Sequence, residues 1–179
     1  MSIFISLIIL LTSLLCLWAA AQDYMKMEIP NRIVAVLAGL FIPAAFIVML
    51  ITGFSDFLDW VIPHLASALI VFGVTALIYT FGTFGAGDSK FATAAALWFP
   101  LGDLMAFAFY TALLGGLLGI FTIFLKKKNI LPANNSKWLQ EIYSGKSIVP
   151  YGIAIALGTI FAFVHLGYYA PSATAFLAQ

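Results

Sequence analysis

Charge divides this chain into long uncharged stretches, and few folds accept that pattern. Six runs contain no Asp, Glu, Lys or Arg: residues 2–22, 33–55, 60–87, 91–102, 104–125 and 147–179. A helix needs about 20 apolar residues to cross the hydrocarbon of a bilayer, so five of the six are long enough to span alone. Charged residues make up 8% of the 179 and hydrophobic ones 64%. A water-soluble domain carries roughly a quarter charged residues, and this chain has too few to cover such a surface. In lipid each segment must satisfy its own backbone N–H and C=O groups, which makes every run helical, and none alternates as a barrel strand does. The expected fold is an all-α integral membrane protein of six transmembrane helices, with residues 1–179 as one membrane-embedded domain and no separate soluble domain.

The basic residues set the expected orientation. Ala19, Ala20 and Ala21 imitate a signal-peptidase site, but nothing basic precedes the first run, and Lys26 and Arg32 follow it, the reverse of a cleavable signal. The run is therefore read as a true span. Lys26 and Arg32 fall in the first loop, Lys90 in the third, and Lys126, Lys127, Lys128, Lys137 and Lys146 in the fifth, whereas Asp56 and Asp59 occupy the second and Asp103 the fourth. All eight basic residues share one side. Cytoplasmic loops carry the excess of Lys and Arg, so both termini are expected outside. A net charge of +1 gives no concentrated basic face for nucleic acid. The lone cysteine, Cys16, lies inside an apolar run and supports neither an internal disulfide nor a cysteine metal site.

The fourth crossing strains this scheme and points to a site. Only 12 residues separate Lys90 from Asp103, or ~18 Å of helix. The fourth helix must therefore be short, begin before Lys90 near residues 85–88, and turn at Pro100, Leu101 and Gly102. Asp88 then stands at the membrane boundary, where a carboxylate is expensive and marks a functional candidate. Lys90 can snorkel outward along its stem. Asp23 closes the first run on the same side. Two carboxylates sharing a site do not both ionise comfortably, so one holds a proton while the other is charged, the arrangement with which aspartic proteases activate water. Singly, Asp23 also reads as a solvated helix-end acid and Asp88 as a charge favoured by a helix N-terminus.

Two local patterns lift the pair above that reading. Asp23 is followed seven residues later by Pro30 and then Asn31, and Asp88 closes Gly85-Ala86-Gly87-Asp88. Pro30 disfavours helix at Ile29 and starts a second helix at Pro30 or Asn31. Gly85 and Gly87 let the backbone turn tightly and bring the Asp88 carboxyl to a helix start without crowding. These patterns resemble the two active-site motifs of the type IV prepilin peptidases, the second being the GxGD motif shared with presenilin-type proteases and archaeal preflagellin peptidases. Val149-Pro150-Tyr151-Gly152 also looks familial, and the compact chain is most similar to the short members serving Flp-type tight-adherence pili.

The resemblance implies an aspartyl endopeptidase in the bacterial inner membrane, its active site facing the cytoplasm, that cleaves the leader of a prepilin or pseudopilin. Asp23 and Asp88 would be catalytic, with Gly85, Gly87, Pro30 and Asn31 in support. Longer members carry a zinc-binding cytoplasmic insertion with paired CxxC cysteines, and this chain has neither. No metal or cofactor is expected; S-adenosylmethionine would enter only with the N-methylation of bifunctional members, which stays open here. The lipid bilayer is the other expected partner. Two further classes fit the composition: a small proton-coupled transporter, since intramembrane carboxylates form relays, and a noncatalytic pilus-assembly subunit. Transporters place ionisable groups near the midplane and show repeats, whereas both acids here fall at one face and no repeat is visible.

The remaining polar and aromatic residues read as structural. His64 and His165 are expected at the outer ends of their spans as interfacial groups. Trp18, Trp60, Trp98, Trp138, Tyr168 and Tyr169 fit aromatic belts. Gly115 and Gly119 form a GxxxG step for close helix packing, and Pro43 is expected to kink the second helix. Lys126, Lys127 and Lys128 serve as an orientation signal that anionic lipid would also satisfy. Glu28 is a candidate to attract a basic leader.

Overall fold

In the computed structural model, which describes residues 2–128, 136–145 and 148–169, the regular structure is helical, with eight α-helices and no strand among the described residues. The first run becomes α1 (Ser2–Lys26). It ends where Met27 enters the left-handed region at φ 53° and its N–H donates to the Asp23 carbonyl at 2.8 Å. A methionine there costs about 1–2 kcal/mol, offset by packing of its side chain against Trp138, Leu139 and Ile142.

The second run gives two helices, α2 (Asn31–Gly39) and α3 (Phe41–Thr52), broken at Leu40. Pro43 supplies no N–H for the Gly39 carbonyl, which explains the break one turn upstream of the proline. Together they cover a candidate span, Asn31–Thr52. Next come α4 (Phe54–Thr80), which follows Gly53 and contains Pro63, and the short α5 (Ala86–Ala96). Between them Gly82 at φ 69° makes the reversal, a conformation that suits glycine. After α5 the chain turns through residues 97–103 into α6 (Leu104–Lys128). Two further helices follow, α7 (Lys137–Tyr143) and α8 (Tyr151–His165).

Among the described residues, four helical stretches are long and apolar enough to cross a membrane: Ile3–Lys26, Asn31–Thr52, Asp56–Thr80 and Leu104–Lys127. The last run, expected to span alone, carries a helix of only 15 residues, or ~22 Å. It starts after Pro150 and stops at Gly167, whose φ is 72°; residues 146–147 and 170–179 of that region lie outside the described residues. The early start expected for the fourth helix, at residues 85–88, is met by α5.

Packing centres on α8, which lies against α6, α1 and α5, while α5 also rests on α4 and α2. Small residues make this possible: Gly152, Ala154, Ala156, Gly158 and Ala162 of α8 are buried. A Cβ at Gly158 would come within 2.8 Å of the Thr111 backbone, the backbone-to-backbone approach that small residues permit in membranes. Large apolar side chains such as Leu69, Phe72, Met105, Phe109 and Ile123 remain exposed on α4 and α6, a surface suited to lipid rather than water.

Several aromatic and glycine expectations are corrected. His64 is not interfacial: it is fully buried, its Nδ1 lies 2.8 Å from the Trp60 carbonyl, and its ring sits 4.2 Å from Trp60 and 5.4 Å from Phe41. Trp60, Trp98, Trp138 and Tyr168 are buried rather than in belts, whereas Trp18 is 56% exposed. Tyr168 donates to Asp103 Oδ2 at 2.7 Å and stacks in a cluster with Phe99 and Phe163, and Tyr169 shares a hydrogen bond with Ser13. Aromatic hydrogen-bond donors that find partners inside the bundle lose the reason to sit at the interface. Within the GxxxG step only Gly115 is in close contact, 3.4 Å from Tyr151 and 3.6 Å from Ala154 for an added Cβ; Gly119 faces open space.

Candidate active site

The end of α1, the start of α2, the α4–α5 turn and the start of α8 come together around one cavity of about 1040 Å³, lined among others by Asp23, Lys26, Glu28, Asn31, Asp88 and Lys90. The basic residues gather at this end. Arg32 stands in the first turn of α2. Lys126 donates to the Gly145 carbonyl at 2.6 Å, and Lys137 lies 4.0 Å from Glu28. Lys146 lies outside the described residues.

Each carboxylate is held by a backbone N–H. Asp23, near the last turn of α1, is only 5% exposed, and its Oδ2 accepts a 2.8 Å hydrogen bond from the Gly152 N–H. Asp88 is the third residue of α5, and its Oδ2 accepts from the Gly85 N–H at 3.3 Å. That contact is half of a capping box, the other half being absent because glycine has no side chain. Asp23 and Asp88 line the same cavity and interact electrostatically. The first N–H groups of a helix have no partner within it. The N-termini of α5 and α8 therefore both direct donors and positive dipole ends into a region that holds two carboxyls.

The supporting residues of both motifs are also brought together. Pro30 is extended at φ −63°, ψ 130° and immediately precedes α2. Asn31 Oδ1 accepts from Lys90 Nζ at 3.2 Å, a bond that joins the first motif to the second. A Cβ at Gly85 would lie 2.7 Å from Asp88 Oδ2, so a side chain there would push the Asp88 carboxyl aside. Gly87 faces Ile29 at an ordinary 3.7 Å. Glu28 is exposed and paired loosely with Lys137.

Sequence reasoning missed the Gly152 N–H and the role of α7. The Pro150-Tyr151-Gly152 stretch held the signal for the first, since a proline followed by a new helix leaves free N–H groups just after it. Ser136 Oγ donates to the Tyr24 carbonyl at 2.6 Å, and Trp138 Nε1 donates to the Ile148 carbonyl at 2.9 Å. One short helix and the Ser136 that precedes it thus fasten the chain beside Asp23 and the chain leading to Gly152. Among the described residues no group of three or more His, Cys, Asp or Glu side chains comes together as a metal-binding set.

A sequence model described as the type IV leader peptidase family matches residues 9–120. The matched stretch contains Asp23, Pro30, Asn31, Gly85, Gly87 and Asp88. No curated protein and no solved structure matches the chain.

Proposed function

The chain belongs to the type IV leader peptidase family, and from that membership we propose that it is a GxGD-type aspartyl endopeptidase that removes the leader of prepilin-like substrates at the cytoplasmic membrane face. The observation that carries this reading is the meeting of Asp23 and Asp88, 65 residues apart in sequence, in one cavity. Peptide hydrolysis needs a base for water and an acid for the departing amine. In the proposed reaction one carboxylate takes a proton as water attacks the scissile carbonyl, and its protonated partner hydrogen-bonds the carbonyl oxygen. The C–N bond then breaks as a proton passes to the amide nitrogen, so the two carboxyls act as a single titrating unit. No cofactor or metal enters this scheme.

The same reading includes the topology. All six runs cross, with α5 and α8 as short crossings and α7 lying on the cytoplasmic side, so that α1 begins and α8 ends outside. The gathering of basic residues at the cavity end supports this orientation and, with it, a bacterial inner-membrane location. A carboxylate pair at one end of the bundle also fits cleavage near a membrane surface better than a relay through the midplane.

The test is to incubate the purified protein in lipid nanodiscs with a prepilin-like substrate and read the product by mass spectrometry. A single cut that releases the leader is expected. An intact substrate, with acid-driven solute uptake when the protein is placed in liposomes, would instead favour the transporter.

A further inference from the structure

We infer that Gly152 is a positioning residue: its peptide N–H, at the second residue of α8, sets the orientation of the Asp23 carboxylate, and the missing side chain is a requirement of the reaction rather than of the fold. The inference rests on the aspartyl peptidase reading and goes beyond it by adding a group that holds one of the two acids. The N–H is among the first of α8 and has no partner within that helix. It donates to Asp23 Oδ2 at 2.8 Å in a buried contact. A carboxylate at the end of α1 would otherwise choose among several rotamers, and this bond selects one.

The space around Gly152 argues the same way. An added Cβ would lie 2.8 Å from Asp23 Oδ2, 3.0 Å from Asp23 Cβ and 3.0 Å from Ile29 Cδ1. Asp23 Oδ2 and Ile29 Cδ1 can rotate away, and the Asp23 Cβ, fixed by the α1 backbone, needs a shift of only a few tenths of an ångström, so the structure would adapt mainly by turning the Asp23 carboxyl away. Gly158, six residues on, differs: a Cβ there meets the Thr111 backbone at 2.8 Å, which no rotation relieves. One helix thus carries a glycine needed for packing and a glycine needed for the carboxylate. The start of α8 is itself fixed, because Trp138 holds the Ile148 carbonyl at 2.9 Å and Tyr151 packs 5.2 Å from the Phe84 ring.

The experiment compares leader removal and thermal unfolding for the full chain, Gly152→Ala, Gly152→Ala with Ile29→Ala, and Gly158→Ala. An ester in place of the 152 peptide N–H, introduced with glycolic acid, removes the donor without adding bulk. Gly152→Ala should lose about a hundredfold in kcat, the scale of an ångström of misplacement, with KM and unfolding temperature nearly unchanged. The ester should also lower kcat. Trimming Ile29 should not restore activity, since the conflict with Asp23 remains. Gly158→Ala should lower the unfolding temperature. Full activity in Gly152→Ala, or rescue by Ile29→Ala, overturns the inference while leaving the peptidase reading intact. No cleavage by the unaltered chain overturns both.

Discussion

Gly85 and Gly87 flank a single alanine, yet they meet different surroundings. A Cβ at residue 85 collides with the Asp88 carboxyl at 2.7 Å, and one at residue 87 rests on Ile29 at 3.7 Å. Gly85→Ala is therefore expected to fold but to turn Asp88 out of place, lowering kcat by about tenfold or more. Gly87→Ala should keep its unfolding temperature and act on KM, because the new methyl would line the cavity. Steady-state leader removal with a melting curve for each variant separates the two outcomes. Glu28→Gln should change the rate less than about threefold, since the side chain is 76% exposed and its 4.0 Å pair with Lys137 is of the weak surface kind. At this scale the sequence made both acids and Pro30-Asn31 legible, because their chemistry is carried by residue type. For the Gly152 N–H it offered only the proline that starts α8, because a backbone group acquires its role through where the helix begins. His64 was misread because burial among Trp60 and Phe41 depends on tertiary packing that no local pattern encodes.

Among the elements, α7 is the one whose importance exceeds its length. Its seven residues place Trp138, Leu139 and Ile142 against Tyr24, Met27, Leu118 and Leu125, and the hydrogen bonds of Trp138 and the preceding Ser136 reach the backbone on both sides of the site. Trp138→Phe keeps one six-membered ring and removes the pyrrole part of the indole with its Nε1 donor to Ile148. It is expected to cost about 2 kcal/mol of stability, from the lost bond and the space left at a buried position, and to slow leader removal severalfold; unchanged kinetics with a lowered melting point would limit α7 to scaffolding. The six uncharged runs revealed where helices would form because charge is costly in lipid. The break at Leu40 answers to Pro43, already expected to kink the second helix, and not to the runs themselves; nor did the runs reveal the shortness of α8, set by Pro150 and Gly167. Both arise from backbone constraints inside apolar sequence, where hydropathy is silent.

For the molecule as a whole, the direction of insertion determines which compartment the cavity opens to. Lys26, Arg32, Lys90, Lys126 and Lys137 belong to the cavity end, whereas Asp56 and Asp59 begin α4 and Asp103 precedes α6. Single cysteines replacing Lys127 and Asp59, both exposed, in a Cys16→Ser background should label from opposite sides of the membrane, with position 127 reached from the cytoplasm. Labelling of both from one side would remove the proposed topology. The central claim is that Asp23 and Asp88 form one catalytic unit, and its most direct test is single-turnover leader removal by Asp23→Asn, Asp88→Asn and the double variant in membranes where all three insert normally. The account predicts that each single change slows cleavage by at least about a thousandfold and that the double change adds almost nothing, as for groups that act together. Cleavage by either single variant at more than about a tenth of the unaltered rate, or a double variant slowed by the product of the two single effects, would contradict it.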